Sequence, residues 1–232
     1  MDKNSNAYTF LYAIGLVLVC ATLLAGSLGA LQGKITANEE LNNKKNILGA
    51  VNPEIVKADV VETFNKTITQ FVINNKGEIS EDPNAFSIDI KKAMEVDEDE
   101  RLLPLFEYNT DSLRAYIIPL RGAGLWDWIS VNIALKPDFN TIAGTTFDHK
   151  SETPGLGAEI KTVWFQSQFK DKTLSDDNGD FHLKVLKGKG NDISDPNKVD
   201  GITGSTMTCN GVQDMLEEGY ESYKAYFKNA SK

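Results

Sequence analysis

The sequence predicts an α+β protein: one amino-terminal transmembrane helix, then a single domain with a mainly antiparallel sheet and flanking helices. Three observations carry this. The run from Ala7 to Leu31 is apolar and uncharged, and it exceeds the ~20 residues that a helix needs to cross a bilayer. In the middle of the chain, segments of alternating polarity are separated by turn residues, the pattern of neighbouring antiparallel strands. Near the carboxy terminus Val212, Met215, Leu216, Gly219, Tyr220, Tyr223, Tyr226 and Phe227 fall at helical spacing.

Composition narrows the function. The 232 residues suffice for an anchor and one sizeable core. A net charge of -9 argues against nucleic acid as a partner, because phosphate backbones are met by concentrated positive charge. The two cysteines, Cys20 and Cys209, and two histidines, His149 and His182, do not make a zinc or iron–sulfur site.

The expected organisation is a short tail at 1-6, a transmembrane helix at 7-31, a helical stalk at 32-55 and a domain at 56-232. A cleaved signal peptide is the alternative for the first segment, since Ser27-Leu28-Gly29-Ala30 has the small residues of a cleavage site. Against it, the apolar run is long and Lys3 is the one basic side chain before it. Lys34, Lys44 and Lys45 follow the helix, so loop charge leans toward a cytoplasmic domain, although long domains translocate largely regardless of charge.

The stalk, polar between residues 36 and 50, is expected to end at Gly49 or Pro53. A short β-rich stretch at 67–72 precedes the turn Asn74-Asn75-Lys76-Gly77, and the acidic run through Glu95-Val96-Asp97-Glu98-Asp99-Glu100 reads as solvated surface. Arg114 to Leu120, Asp127 to Leu135 and Thr141 to Phe147 read as strands of the central sheet. The link Arg121-Gly122-Ala123-Gly124-Leu125-Trp126 joins the first two; Trp126 either stacks beside a ligand or fills the core. After Thr153-Pro154-Gly155, a helix start by its proline, Ile160, Val163, Trp164 and Phe169 predict a helix. Phe181 to Leu186 is expected as one strand, Asp176 to Asp180 as a turn, and Lys187 to Asn191 as a turn whose lysines are either solvated or set near a phosphate.

The loop Asp200-Gly201-Ile202-Thr203-Gly204-Ser205-Thr206-Met207-Thr208 stands directly before the last helix. The first N–H groups of a helix lack internal partners and lie at the positive end of its dipole, which suits a phosphate. The plainer alternative is a helix cap from Ser205, Thr208 or Asn210. No Gly-x-Gly-x-x-Gly follows a predicted strand, so no dinucleotide site is expected, and no nucleophilic triad is evident.

This loop resembles the Asp-x-x-Ser/Thr-Gly-Ala-Thr-x-Thr signature of domains that carry FMN through a phosphoester. Glu152-Thr153-Pro154-Gly155-Leu156-Gly157, the Gly-Leu-Trp loop and Lys44-Lys45-Asn46-Ile47-Leu48 resemble segments of the C subunit of the Na⁺-translocating NADH:quinone reductase. The resemblance implies covalent FMN on Thr206, in a loop that also contributes Asp200, Thr203, Gly204, Ser205 and Thr208. Ser205 stands where that family usually has alanine. It further implies contacts from Glu152, Thr153, Gly155, Leu156 and Trp126, and no catalytic or metal-ligating residue.

On the same resemblance, a separate Mg²⁺-dependent flavin transferase moves FMN from FAD to Thr206. The flavin then passes single electrons between membrane subunits while Na⁺ is exported. The domain is expected outside the cytoplasm, at a bacterial inner membrane, with residues 7-31 in the lipid bilayer. The G-type subunit of an Rnf ferredoxin:NAD⁺ complex, a stand-alone flavin-binding or sensory module, and an extracytoplasmic scaffold are the alternative functions.

Overall fold

The computed structural model describes residues 5–54, 59–195 and 197–230. Lys3, most of the expected tail and the junction of stalk and domain at 55–56 lie outside the described residues. The chain divides into two compact units, Met1–Asn43 and Lys44–Lys232.

Helix α1 (Asn6–Val51) is a single 46-residue helix, and it contains an unburied apolar stretch long enough to cross a membrane. Its last turns belong to the second unit, where Ile47, Leu48 and Ala50 are buried. Asn46 Nδ2 donates to Asp148 Oδ2 at 3.2 Å. Ile47, Leu48 and Ala50, within about one turn, contribute to the smaller of the unit's two cores.

The second unit is organised by six antiparallel strands: β1 (Ile68–Asn74), β2 (Ile79–Glu81), β3 (Leu102–Asn109), β4 (Arg114–Ala123), β5 (Trp128–Leu135) and β6 (Ile142–His149), in the order β2-β1-β3-β4-β5-β6. The expected antiparallel sheet with flanking helices is therefore present. Period-two alternation sends side chains to opposite faces. In β4, Tyr116, Ile118 and Leu120 enter one core while Ala115 and Ile117 enter the other. The smaller core is closed by Phe64 of α2 (Val60–Thr67), which Asp59 caps through its carboxylate, and by the end of α1. A short α3 (Ile90–Glu95) lies in the acidic segment and packs Ala93 and Met94 against the larger core.

Two local expectations are modified. The helix after Pro154 is broken in two: a 3₁₀ turn spans Gly157–Lys161, and Thr162, extended at ψ 146°, caps a separate α4 (Val163–Ser167) by accepting from Phe165 N–H at 3.4 Å. The break turns Val163 out to 82% exposure while Phe165 and Phe169 stay buried. Of the strand expected from Phe181 to Leu186, only β7 (Lys184–Val185) forms, parallel to β8 (Lys198–Val199), whereas Phe181 makes an isolated bridge to Ser175. Asp176 accepts from Asn178 N–H and Asp180 N–H at 2.9 and 3.0 Å, a self-closed turn as expected.

The larger core is closed by the terminal helix α5 (Thr206–Ala230), which buries all eight residues predicted for its inner face. Tyr223 is wholly enclosed and donates its hydroxyl to Pro104 O at 2.6 Å. Tyr223→Phe should lower the unfolding free energy by about 1–3 kcal/mol, because the carbonyl is left buried without a donor. Urea denaturation of the detergent-solubilised chain measures this; an unchanged midpoint would mean that the carbonyl finds another partner.

Candidate functional site

Four segments meet at the amino-terminal end of α5: the β4–β5 loop, the segment after β6, the turn at 187–191 and the loop at 200–205. Close backbone approach holds them there. A Cβ on Gly211 would lie 2.1 Å from Ala123 O, and one on Gly201 would lie 1.9 Å from Leu186 O. No side chain larger than hydrogen fits at either position without movement of the backbone.

Asp200 organises one side. It is buried, accepts from Gly190 N–H at 2.8 Å and Asn191 N–H at 3.0 Å, and takes a third bond from Asn191 Nδ2 at 2.7 Å. Burial alone would raise its carboxyl, but these donors and the nearby Lys189 charge outweigh it and hold the group below the usual carboxylate range. The turn is thereby fixed against the loop, and Lys189 N–H donates to Thr203 Oγ1 at 3.2 Å. The Lys189 ammonium sits over the Trp164 ring, 3.9 Å from its centroid, an attractive placement for a cation.

Glu152 organises the other side. Only 5% exposed, it accepts from Leu125 N–H at 2.8 Å and Trp126 N–H at 3.1 Å on Oε1, and from Thr208 Oγ1 at 2.7 Å on Oε2. Its carboxylate is thus occupied by protein donors rather than facing outward. His149 Nδ1 accepts from Glu152 N–H at 3.3 Å. Burial and the Lys161 charge lower the His149 imidazole, against the raising effect of Asp148 and Glu152.

Between these two anchors lies an open rim. Thr153, Gly155, Leu156, Thr203, Gly204, Thr206 and Met207 are exposed, and Trp126 is 69% exposed, which removes core filling as its role. Gly155 and Gly204 have φ of 77° and 80°, conformations that glycine adopts without strain. A Cβ on Gly204 would come within 3.0 Å of Leu156 Cδ2, so the loop and the segment after β6 touch at this point.

The start of α5 bears on two of the three expected caps, Ser205 and Thr208. Cys209 N–H donates to Ser205 O at 2.9 Å, opening the helix. Thr208 Oγ1 is turned to Glu152, and Ser205 Oγ is buried without a partner among the described residues. Neither hydroxyl caps the helix, so the N–H groups of its first turn remain open to an anion. Of the two adjacent hydroxyl residues, Ser205 is 5% exposed while Thr206 faces outward.

These residues fit a phosphate-linked group: an accessible hydroxyl, unclaimed N–H donors beside it, and a glycine-lined, partly apolar rim. The family match supplies the class that the geometry leaves open, a flavin-carrying domain. Residues 124–221 match the FMN-binding domain family, a span that begins in the β4–β5 loop and ends within α5. Relatives extend the match to the whole chain. The C subunit of the Na(+)-translocating NADH-quinone reductase of Yersinia pestis is 30% identical over 91% of this chain and 87% of its own length. Its counterpart of the same name from Pseudomonas aeruginosa is 30% identical over 100% of this chain and 98% of its own length.

The crystal structure of the C subunit of that reductase from Parabacteroides distasonis superposes with a TM-score of 0.74 at 35% identity, covering 85% of this chain and 96% of the other. That of NqrC from Shewanella oneidensis gives 0.70 at 26%, covering 84% and 98%. The chain belongs to the family of C subunits of the Na⁺-translocating NADH-quinone reductase.

Proposed function

We infer that this chain is the FMN-carrying electron-transfer subunit of a Na⁺-translocating NADH:quinone reductase, with FMN esterified through its phosphate to Thr206. The observation that carries the attachment is the contrast at the start of α5, where Thr206 is exposed and Ser205 is buried. Unclaimed N–H groups of the helix's first turn stand ready for the phosphate. Bound FMN supplies one- and two-electron redox chemistry. The chain's own part is to hold the phosphate, to shape the rim through Gly155, Leu156 and Gly204, and to leave Trp126 beside the opening.

In maturation, a flavin transferase joins Thr206 Oγ1 to the FMN phosphorus of FAD as the pyrophosphate bond breaks. AMP leaves and the hydroxyl proton is released. Partner membrane subunits supply and take the electrons, and the whole assembly couples NADH oxidation by quinone to Na⁺ export. Residues 7-31 cross a bacterial inner membrane, a stalk follows, and the domain, whose smaller core takes in Ile47, Leu48 and Ala50, lies on the extracytoplasmic side. Relatives that match nearly the full chain carry the reductase name, which favours this reading over an Rnf component or a stand-alone module.

The test is in-gel flavin fluorescence of denatured chain co-produced with the transferase, read together with intact mass. Wild type and Ser205→Ala should carry one FMN, and Thr206→Ala none. Undiminished fluorescence in Thr206→Ala would refute the attachment.

A further inference from the structure

We propose that Glu152 is a positioning residue: its buried carboxylate locks the Leu125–Trp126 backbone to the first turn of α5, so that Trp126 is held beside a flavin carried two residues earlier, on Thr206. The inference rests on the proposed attachment at Thr206, and its first test does not.

A single carboxylate spans the gap between the two segments. Oε1 receives the successive N–H groups of Leu125 and Trp126, at 2.8 and 3.1 Å, while Oε2 receives Thr208 Oγ1 at 2.7 Å. The space around it admits nothing else. A Cβ on Gly124 would lie 2.4 Å from Oε1, and one on Gly157 would lie 2.1 Å from Oε2 and 2.5 Å from Thr208 Oγ1. The glycines of the β4–β5 loop and of the segment after β6 therefore make room for the same two oxygens.

No salt bridge to Glu152 occurs among the described residues. Its stabilisation comes from these donors and from the positive end of α5. A buried acceptor with three donors fixes geometry in all three segments at once, since loss of the acceptor strands each donor. Meanwhile the Trp126 side chain stays 69% exposed. The backbone of the loop is thus anchored while its indole is free to meet a ligand, which separates the Glu152 role from that of a direct ring contact.

Full-length protein made without the transferase gives the first test, by amide hydrogen exchange. Glu152→Ala should accelerate exchange at Leu125 and Trp126 at least tenfold, with β5 and the later turns of α5 unchanged. Glu152→Gln, which keeps the acceptor at Oε1 but loses its charge, should give a smaller acceleration confined to the same two amides. If Glu152→Ala does not fold, the Gln variant decides alone. Unchanged rates at these amides, or an equal increase throughout the sheet and α5, would overturn the proposal.

The second test uses flavin-loaded protein and emission per bound flavin, because an indole held beside a flavin quenches it by electron donation. Trp126→Phe and Glu152→Ala should each brighten the flavin at least twofold, and the double variant should match Trp126→Phe. Equal emission in Trp126→Phe and wild type, or brightening that multiplies in the double variant, would also overturn it. Failure of the Thr206 attachment would instead appear as absent covalent flavin, leaving the exchange result intact.

Discussion

Phe165→Ala is expected to lower the unfolding free energy by about 3–5 kcal/mol, the cost of an unfilled aromatic space in a close-packed core. Phe165 is fully buried and meets Phe147 and Phe169 at centroid distances of 5.3 and 5.4 Å, with the Phe147–Phe165 pair edge-on at 71°. These rings join β6 to α4, the two elements between which the Glu152–Gly157 segment runs. The loss should therefore reach function as well as stability: urea denaturation would report the lowered midpoint, and flavin bound per chain would fall with the folded fraction. A loss below about 1 kcal/mol would mean that the surrounding rings collapse into the space.

Gly211→Ala has a sign that local preference gets wrong. Alanine is favoured over glycine in a helix interior by about 1 kcal/mol, and position 211 lies one turn inside α5. The new Cβ would nevertheless stand 2.1 Å from Ala123 O and 3.6 Å from Ile129 Cδ1. A carbonyl of the sheet cannot rotate away as a flexible side chain does, so a net loss of about 1–3 kcal/mol is expected from overpacking. Exchange at the neighbouring Gly124–Trp126 amides should rise with it. Thermal denaturation decides the sign, and a stabilised variant would show that the helix simply lifts from the sheet.

Much of the fold was legible because side-chain period translated directly into burial. The eight inner residues of α5 and the alternation of β4, β5 and β6 needed no further information. Strand β3 escaped notice although it lies in the middle of the sheet. Pro104 interrupts it, and proline normally argues against a central strand; here its carbonyl is taken up by Tyr223. The short pair β7 and β8 was equally hidden, since two-residue strands have no period to read.

The site was legible as a set of motifs but not as an arrangement of roles. Thr206, Gly204, Leu156 and Trp126, drawn from separate motifs, lie together on the exposed rim. Asp200 and Glu152 belong to the same motifs, yet their carboxylates point inward, to Gly190, Asn191, Leu125, Trp126 and Thr208. Motif spacing is blind to this distinction because the partners come from 9 to 56 residues away. The two carboxylates shape the loops, and small and hydroxyl residues between them form the exposed rim.

The inward Ser205 and outward Thr206 have a consequence for length. The loop before α5 acts as a spacer that selects which of two adjacent hydroxyls is presented, with Ser205 turned inward before the helix and Thr206 outward at its first residue. Asp200 sets one end of the spacer through Gly190 and Asn191, and the Thr208–Glu152 bond sets the other. A one-residue insertion between them would leave every motif residue in the chain and change which of Ser205 and Thr206 is turned outward.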